Sequence, residues 1–355
     1  MYPQVFQKEL ERLPRPDAVL VGSMMTYWYP AVIECINAVK QVLPGVPVVL
    51  GGVYATLCHE HATIYSGADH IIRGPFNSSA VIKLEIILKK QFLAANYDSV
   101  PCPACELLTT KKVIPLMTSQ GCPLRCPYCA SRLLWPDFFQ REPRTVADEI
   151  ESWHLNYGTT NFAFYDDTLL INSGTHIIPL LESVLERGLQ VQFHVPNGLH
   201  VRGIEPRIAD LMQRAGFKTL RLGLESSDEK FHKNTGNKAS CDDFTHAAKA
   251  LQTAGYTDRE VGVYILAGLP GQSVKSVRYS IAFVQEHSLR PYLTEYSPIP
   301  GTVLWEKAVA CSPFPIAHEP LFHNNTLLPC RSPLFTIDDL KKLKRESRNS
   351  ITYAE

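Results

Sequence analysis

Excess charge of one sign, long apolar runs and a secretory signal are all missing from this sequence of 355 residues. Its 35 lysines and arginines balance 35 aspartates and glutamates, so no overall basic field indicates a nucleic-acid partner. No apolar run approaches the roughly 18 residues that a membrane-spanning helix needs. The N-terminal stretch MYPQVFQKELERLPRP carries acids and prolines where a secretory signal has an apolar core. We therefore expect a cytoplasmic protein with neither a membrane nor a nucleic acid among its partners.

Cysteine is the residue that departs from an ordinary composition. The sequence is 45% hydrophobic and 20% charged, as globular proteins are, yet it contains ten cysteines. In a chain without a signal sequence, cysteines indicate metal binding more often than disulfides. Three of them lie in GCPLRCPYCA, residues 121–130, as Cys122, Cys126 and Cys129 with the spacing C-x3-C-x2-C.

The larger part of the chain alternates apolar strands with helical stretches. The predicted strands cover 113–119, 161–166, 189–195, 218–225, 260–268 and 290–297. The predicted helices lie near 145–157, 175–187, 205–215, 241–254 and 273–288. Each strand–helix unit has the length of a βαβ motif, and six strands fall short of the eight of a closed barrel. This pattern predicts an α/β fold with a partial (β/α)6 TIM-type barrel.

A shorter α/β segment precedes the barrel. Apolar runs at 17–23, 46–52 and 68–74 predict strands, and 30–43 and 59–67 predict helices. They indicate part of an open Rossmann-like sheet. The predicted domains are residues 1–92 for this segment, 93–112 for a linker, 113–310 for the barrel and 311–355 for a tail with a charged helix. We expect that helix, TIDDLKKLKRES, to present a solvated face.

Three thiolates within eight residues favour an iron–sulfur cluster. Thiolates ligate both iron–sulfur clusters and structural zinc, but structural zinc usually takes four ligands. Three cysteines on a cluster of four irons leave one iron open to a substrate. The cysteines directly follow the first barrel strand, at the carboxyl face where barrels hold their active sites. A zinc knuckle and scattered core cysteines are the alternatives.

The C-x3-C-x2-C motif after the first strand of a partial barrel, with Tyr128 before the last cysteine, resembles the radical SAM enzymes. The resemblance covers about 113–305. It implies a [4Fe–4S] cluster on Cys122, Cys126 and Cys129 whose free iron chelates the amino and carboxylate groups of S-adenosylmethionine (SAM). It further implies reductive cleavage to a 5′-deoxyadenosyl radical, with an external electron donor such as flavodoxin or ferredoxin.

Further segments resemble the same family. YDDTLLI (165–171) resembles the region that meets the methionyl end of SAM, although a helix N-cap role for its aspartates stays open. Glu225 in LGLESS matches a residue that faces the ribose hydroxyls, and GLPG (268–271) matches a turn beside adenine. Arg202 has a surface ion pair as its alternative. The candidate cofactor-binding residues are Tyr128, Asp166, Asp167, Asn197, Arg202, Glu225, Ser226, Gly268, Leu269, Pro270 and Gly271.

The N-terminal segment resembles the cobalamin-binding domain of one branch of that family. VVLGGVYATLCHEHA and GADHIIRGP are similar to the second half of such a domain. The first strand and helix of a full domain are missing, so the N-terminus looks truncated. The D-x-H-x-x-G loop is missing too, and His59, His61 and His70 do not stand in its context. Cobalamin therefore stays an alternative cofactor, and these departures favour weak binding or none.

The sequence predicts an enzyme that modifies a small molecule or a peptide. If cobalamin binds, methyl transfer to an unactivated carbon is the expected reaction, and otherwise a rearrangement or other hydrogen abstraction. A non-catalytic iron–sulfur regulatory protein with the same fold is the alternative. A tRNA-modifying enzyme is disfavoured because no basic RNA-binding domain is appended. The CPAC pair, Cys102 and Cys105, is interpreted either as half of a second metal site or as packing thiols.

Overall fold

The computed structural model describes residues 3–92, 104–229, 231 and 238–349. They divide into two compact units. Unit 1 comprises residues 1–99, 128–136 and 297–330, and unit 2 comprises residues 100–127, 137–296 and 331–355, within the described ranges. No helix in the described part of the chain is long and apolar enough to cross a membrane.

Eleven strands and thirteen α-helices are described. The strands are β1 (Val19–Ser23), β2 (Val48–Gly51), β3 (His70–Ile71), β4 (Val113–Leu116), β5 (Ser119–Gln120), β6 (Phe139–Gln140), β7 (Asn161–Phe164), β8 (Gln192–His194), β9 (Phe217–Glu225), β10 (Val261–Ala267) and β11 (Arg290–Glu295). The helices are α1 (Pro3–Arg12), α2 (Tyr29–Val42), α3 (Gly52–Leu57), α4 (His59–Tyr65), α5 (Ser78–Leu88), α6 (Ser131–Leu134), α7 (Pro143–Tyr157), α8 (Ile177–Glu186), α9 (Pro206–Arg214), α10 (Cys241–Thr253), α11 (Val274–Glu286), α12 (Trp305–Cys311) and α13 (Ile337–Asn349).

Unit 1 is built on a parallel sheet in the order β1-β2-β3. Val19 pairs with Val48, and Val49 pairs with His70. The apolar stripe predicted for the second helix is buried, since Ile36 and Val39 of α2 are almost inaccessible. The partial Rossmann-like sheet predicted from the sequence is therefore present in this unit. Its third strand is shorter than expected, with only two residues.

Residues far apart in the chain are joined inside unit 1. The Tyr29 hydroxyl donates to Glu319 Oε2 at 3.1 Å, and His323 Nδ1 lies 2.9 Å from Thr26 Oγ1. His323 is 1% exposed, and its other ring nitrogen contacts the carbonyl of Ile316 at 2.9 Å. The segment after the barrel strands is thus part of the same compact unit as the N-terminal sheet.

Unit 2 holds six parallel strands in the order β11-β10-β9-β8-β7-β4, which is their sequential order. This is the partial barrel that the sequence predicts. Four buried phenylalanines of its strands form one aromatic cluster: Phe162, Phe164, Phe193 and Phe217. The rings of Phe164 and Phe217 stack at 5.7 Å. Since all six strands are parallel, their carboxyl ends meet at one face, where α/β folds place their sites.

The C-terminal helix α13 is more than a solvated charged helix. Leu340 and Leu343 are 7% and 0% exposed, so its apolar face is buried in unit 2, and only its opposite face is charged and solvated. Ion pairs fix it there: Glu346 pairs with Arg278 of α11 at 2.9 Å, and Lys344 pairs with Glu295 of β11. The expectation of a merely solvated helix missed this leucine spacing of three residues, which places both side chains on one face.

Candidate active site

The three cysteines lie in the loop that follows the first barrel strand. After β4 the chain forms β5, runs through residues 121–138 and returns as β6, which pairs antiparallel with β5. Cys122 and Cys126 are half-buried and Cys129 is exposed. The sulfur of Cys129 lies 3.2 Å from the Ser131 hydroxyl. Cys122 and Cys126 therefore follow the carboxyl end of β4 within unit 2.

The thiols have the chemistry that a cluster needs. None of the nine cysteines in the described part of the chain is held in a disulfide, the three of the motif included. The segment between them forms neither helix nor strand, so no regular hydrogen bonding opposes their convergence. Across residues 3–92, 104–229, 231 and 238–349, no group of three or more His, Cys, Asp or Glu is arranged to hold a metal ion. The donor set of three thiolates fits a [4Fe–4S] cluster.

Asp166 is buried beneath this loop rather than presented at its surface. It is 3% exposed, and its carboxylate accepts from the backbone N–H and hydroxyl of Thr118 and from the hydroxyl of Ser119. Both donors directly precede the cysteine motif. The cofactor role of Asp166 stays a prediction, whereas Thr118 and Ser119 were not among the candidates selected from the sequence. Their position between a strand end and the first cysteine was the available signal.

A buried ion pair lies on the returning side of the loop. Arg141 Nη2 is 2.7 Å from Glu149 Oε2, with side-chain exposures of 7% and 6%. Arg141 also donates through Nη1 to the carbonyl of Met117 at 3.1 Å. His176, 1% exposed, lies 2.8 Å from Thr118 Oγ1 through Nε2, and burial lowers its pKa.

Glu225 ends β9 in a conformation that side chains rarely adopt. Its φ of 68° is left-handed, at a shift in the pairing between β9 and β10. Such strain persists where surrounding structure enforces it and is frequent at functional sites. Lys238 Nζ, which the sequence analysis did not select, donates to Glu225 Oε1 at 3.1 Å. The pair holds a carboxylate at the carboxyl end of the fourth barrel strand, where the predicted ribose contact requires one.

The GLPG segment forms a tight turn after β10. Gly268 and Gly271 both have positive φ, of 85° and 75°, which only glycine adopts without strain. Gln272 closes the turn: its Oε1 accepts from the N–H groups of Gly268 and Leu269, and its Nε2 donates to the carbonyl of Leu266. Gln272 directly follows the motif, so its position in the sequence was the available signal. Leu269 and Pro270 are buried, and Gly271 is exposed.

The remaining candidates differ in what they contact. Asn197 donates to the carbonyls of Tyr165 and Asp166, which joins the ends of β7 and β8. Ser226 is 2% exposed and accepts from the N–H of Asp228. Asp167 is exposed and Tyr128 is half-buried. Their cofactor contacts stay predictions.

Arg202 is engaged in the ion pair that the sequence analysis kept as its alternative. Its Nε lies 2.8 Å from Asp243 Oδ2. Burial raises the pKa of Asp243, but hydrogen bonds from Arg202 and Ser240 outweigh it, so the pKa is lowered overall. Burial, with nearby Lys238 and Arg202, lowers the pKa of His200 to about 4.

An apolar groove lies at the ends of the strands in unit 1. Its volume is about 340 Å³. The lining residues come from β1, β2, the turn after β3, α5 and the segment that follows the cysteines: Leu20, Val21, Gly22, Val49, Leu50, Gly51, Gly52, Ile72, Gly74, Pro75, Phe76, Ala80, Leu84 and Trp135. Open α/β sheets place ligands at this edge. The groove therefore suits an apolar part of a ligand.

The three histidines of this segment differ in their surroundings. His61 Nδ1 lies 2.7 Å from the Tyr54 hydroxyl, and burial lowers the pKa of His61. His59 and His61 lie on α4, and His70 is exposed at the start of β3. Cys105 is buried in a 3₁₀ turn, and Cys102 lies outside the described residues.

Two family models match the chain on either side of the predicted linker. The radical SAM superfamily model matches residues 116–284. The B12 binding domain model matches residues 3–82. The first match begins at the end of β4, includes the cysteine loop and ends within α11. The second match includes most of the residues that line the apolar groove.

Curated relatives and solved structures agree with both matches. An uncharacterized methyltransferase of Pyrococcus horikoshii is 27% identical over 270 residues, covering 73% of this chain and 55% of the relative. The hopanoid C-2 methylase of Rhodopseudomonas palustris is 25% identical, covering 74% and 52%. The chain thus spans about half the length of the curated relatives it matches.

The radical S-adenosylmethionine methyltransferase TsrM of Kitasatospora setae, solved with tryptophan and a SAM analogue, has a similar fold. The TM-score is 0.70 at 16% identity, covering 88% of this chain and 69% of that one. The cobalamin-dependent radical enzyme OxsB gives a TM-score of 0.65 at 13% identity, covering 97% and 54%. The cysteine motif, the parallel barrel and both family matches thus agree: residues 116–284 are similar to the radical SAM superfamily and residues 3–82 to the B12 binding domain, the combination found in one branch of that superfamily.

Proposed function

We propose that this protein is a radical SAM enzyme that cleaves S-adenosylmethionine reductively and uses the resulting radical chemistry to modify a small molecule or a peptide. The observation that carries the proposal is the C-x3-C-x2-C loop, Cys122 to Cys129, directly after the first of six parallel strands. An external electron donor such as flavodoxin or ferredoxin supplies one electron. The bond between the sulfonium and C5′ breaks, which leaves methionine and a 5′-deoxyadenosyl radical.

The chain's own residues bind and orient the two cofactors in this proposal. Cys122, Cys126 and Cys129 hold a [4Fe–4S] cluster, which supplies an open iron position and the electron when bound. Glu225, held by Lys238, accepts hydrogen bonds from the ribose hydroxyls. The turn closed by Gln272 brings its backbone close to the adenine.

Methyl transfer with cobalamin is the reaction that the comparisons support best. The B12 binding match covers the segment with the apolar groove, and two curated relatives are named a methyltransferase and a methylase. We propose that cobalamin binds along the carboxyl ends of β1 and β2, with its nucleotide tail in this groove. The missing D-x-H-x-x-G loop then means binding without a histidine ligand from that motif. The regulatory alternative is not favoured, because a scaffold has no use for the strained Glu225.

We also propose the predicted division into residues 1–92, 93–112, 113–310 and 311–355 as the functional organisation of the chain. The two family matches fall inside the first and third of these ranges, which supports it. The cytoplasmic location stays a prediction.

The cluster assignment is tested by anaerobic reconstitution with iron and sulfide. Wild-type protein should bind four irons per chain, absorb near 400 nm, and form 5′-deoxyadenosine and methionine from SAM with dithionite. Cys126→Ala should lose all three properties. Cys311→Ala removes an exposed cysteine outside the motif and is the matched control. Iron content and absorption that persist in a triple alanine variant of Cys122, Cys126 and Cys129 would contradict the assignment.

Cobalamin binding is tested by adding hydroxocobalamin, desalting, and recording the visible spectrum. Wild-type protein should keep a stoichiometric corrin band. Gly22→Leu should lose it, because an added Cβ at Gly22 meets no atom within 4 Å and the side chain has room to fill the groove. Cluster content should be unchanged in this variant. Loss of the corrin band from wild-type protein on desalting would contradict the proposed methyl transfer with cobalamin.

A further inference from the structure

Two hydrogen-bonded segments form the base of the cysteine loop. The outgoing residues 117–120 and the returning residues 139–141 lie side by side, with Ser119 paired to Gln140 and Gln120 to Phe139. The N–H of Arg141 also donates to the carbonyl of Thr118 at 2.8 Å. The loop base, defined as these two arms, ends two residues before the first cysteine. Its position therefore limits where the cysteines can lie.

One buried carboxylate fastens the outgoing arm. Asp166 receives the Thr118 N–H at 3.0 Å and 3.2 Å on its two oxygens, the Thr118 hydroxyl at 2.7 Å and the Ser119 hydroxyl at 2.6 Å. Hydrogen bonds to an ionised acceptor are about twice as strong as neutral ones. Because these donors surround Asp166 and it is 3% exposed, its carboxylate is directed to the loop base rather than to a ligand.

His176 extends the same network from the start of α8. A carboxylate only accepts, so the Thr118 hydroxyl donates to Asp166 and accepts from Nε2–H of His176, 2.8 Å away. His176 is 1% exposed. The Thr118 hydroxyl thus joins the outgoing arm both to the carboxylate that follows β7 and to the imidazole that precedes α8.

We propose that Asp166, Thr118 and His176 are positioning residues that fix the base of the cysteine loop so that its three thiolates converge on one cluster. The proposal rests on the cluster assignment above and assigns Asp166 to the loop rather than to SAM. Removing the Thr118 hydroxyl leaves a buried carboxylate short of a donor and a buried imidazole without an acceptor. The loop base should then open more often, and the cluster should be held less tightly.

The test compares Thr118→Val, which keeps the shape and loses the hydroxyl, with Thr118→Ser, which keeps the hydroxyl. Hydrogen exchange of the cluster-free protein should be at least about tenfold faster in peptides 117–141 of Thr118→Val, since a hydrogen bond to a charged group is lost. Thr118→Ser should match wild type. After reconstitution, Thr118→Val should lose iron to a chelator faster and show a broadened signal of the reduced cluster in electron paramagnetic resonance.

Two further variants keep the test decisive. Ser119→Ala removes only the 2.6 Å bond and should show a smaller increase of exchange in the same peptides, even if Thr118→Val does not fold. Asp210→Asn, an exposed aspartate paired with Arg214, should behave as wild type in both measurements. Wild-type exchange and cluster retention in Thr118→Val would overturn the proposal. Faster exchange in Thr118→Val, with no cluster uptake by wild type, would confirm the anchoring and contradict the proposed function.

Discussion

Glu149→Gln should destabilise the protein far more than any exchange of a surface glutamate. The Glu149 carboxylate meets Arg141 at 2.7 Å with both side chains more than nine-tenths buried. The amide removes the negative charge that lies against the buried Arg141 guanidinium. Breaking a buried pair from one side typically costs about 3–5 kcal/mol. Against a usual total stability of about 5–15 kcal/mol, this is a large fraction.

A neighbouring glutamate on the same helix provides the matched control. Glu151 pairs with Arg187 at 2.8 Å, but its side chain is 38% exposed, and Arg187 keeps a second partner in Asp148 at 2.6 Å. Exposed pairs contribute about 0–1 kcal/mol. Glu151→Gln should therefore shift the melting temperature little.

Thermal unfolding followed by fluorimetry measures the difference between the two variants. With about 2–4 °C per kcal/mol for units of this size, Glu149→Gln should lower Tm by roughly 6–20 °C. The double variant Arg141→Met with Glu149→Leu removes both charges and should recover part of the loss, because an apolar pair leaves no buried charge. Equal shifts in Glu149→Gln and Glu151→Gln would refute the reasoning.

Three other changes test backbone strain and protonation. Gly52→Ala should lower stability by at least about 2 kcal/mol, since the residue has a φ of 81° and its added Cβ would lie 2.6 Å from the Ser23 carbonyl. Gly174→Ala is the control, because Gly174 has open space around it, and its melting temperature should match that of wild type. Equal melting temperatures for the two variants would contradict the prediction. Glu225→Gly should be more stable than Glu225→Ala by about 1 kcal/mol in denaturant titrations, because glycine relieves the left-handed conformation while both lose the carboxylate. Burial lowers the pKa of His200 from 6.5 to about 4 in the folded protein, so the unfolded chain binds this proton at a higher pH than the folded protein does. The free energy of unfolding should therefore fall as pH drops from 6.5 towards 4. His200→Gln should reduce this pH dependence.

Strand and helix positions in the barrel followed from apolar patterning. Every one of the six predicted strands is present, and the sheet has them in sequential order. Buried parallel strands are almost continuously apolar, which makes them readable from sequence. The third strand of unit 1 was predicted over seven residues and has two, His70–Ile71, because an apolar run alone does not say how far pairing continues.

The parts of the candidate site that consist of short sequence motifs were predictable. The cysteine spacing and the GLPG turn are local, so they could be recognised. The partners of Asp166 could not, since Thr118 lies 48 residues away and only strand pairing between β4 and β7 brings the two together. Likewise, Lys238 meets Glu225 across 13 residues that carry no periodic signal. Contacts of this kind depend on topology, which sequence pattern constrains only after the fold is known.

Unit 1 is built from segments that lie far apart in the chain, and this affects the order in which its parts are synthesised. Its N-terminal sheet is made first, but Tyr29 and Thr26 find their partners Glu319 and His323 roughly 290 residues later. Chains leave the ribosome at about 5–20 residues per second, so this unit must wait at least about 15 seconds for its last segment. The N-terminal sheet therefore emerges with part of its surface uncovered, while the six-stranded unit can complete its sheet earlier. A chaperone that binds the waiting segment would be needed most during this interval.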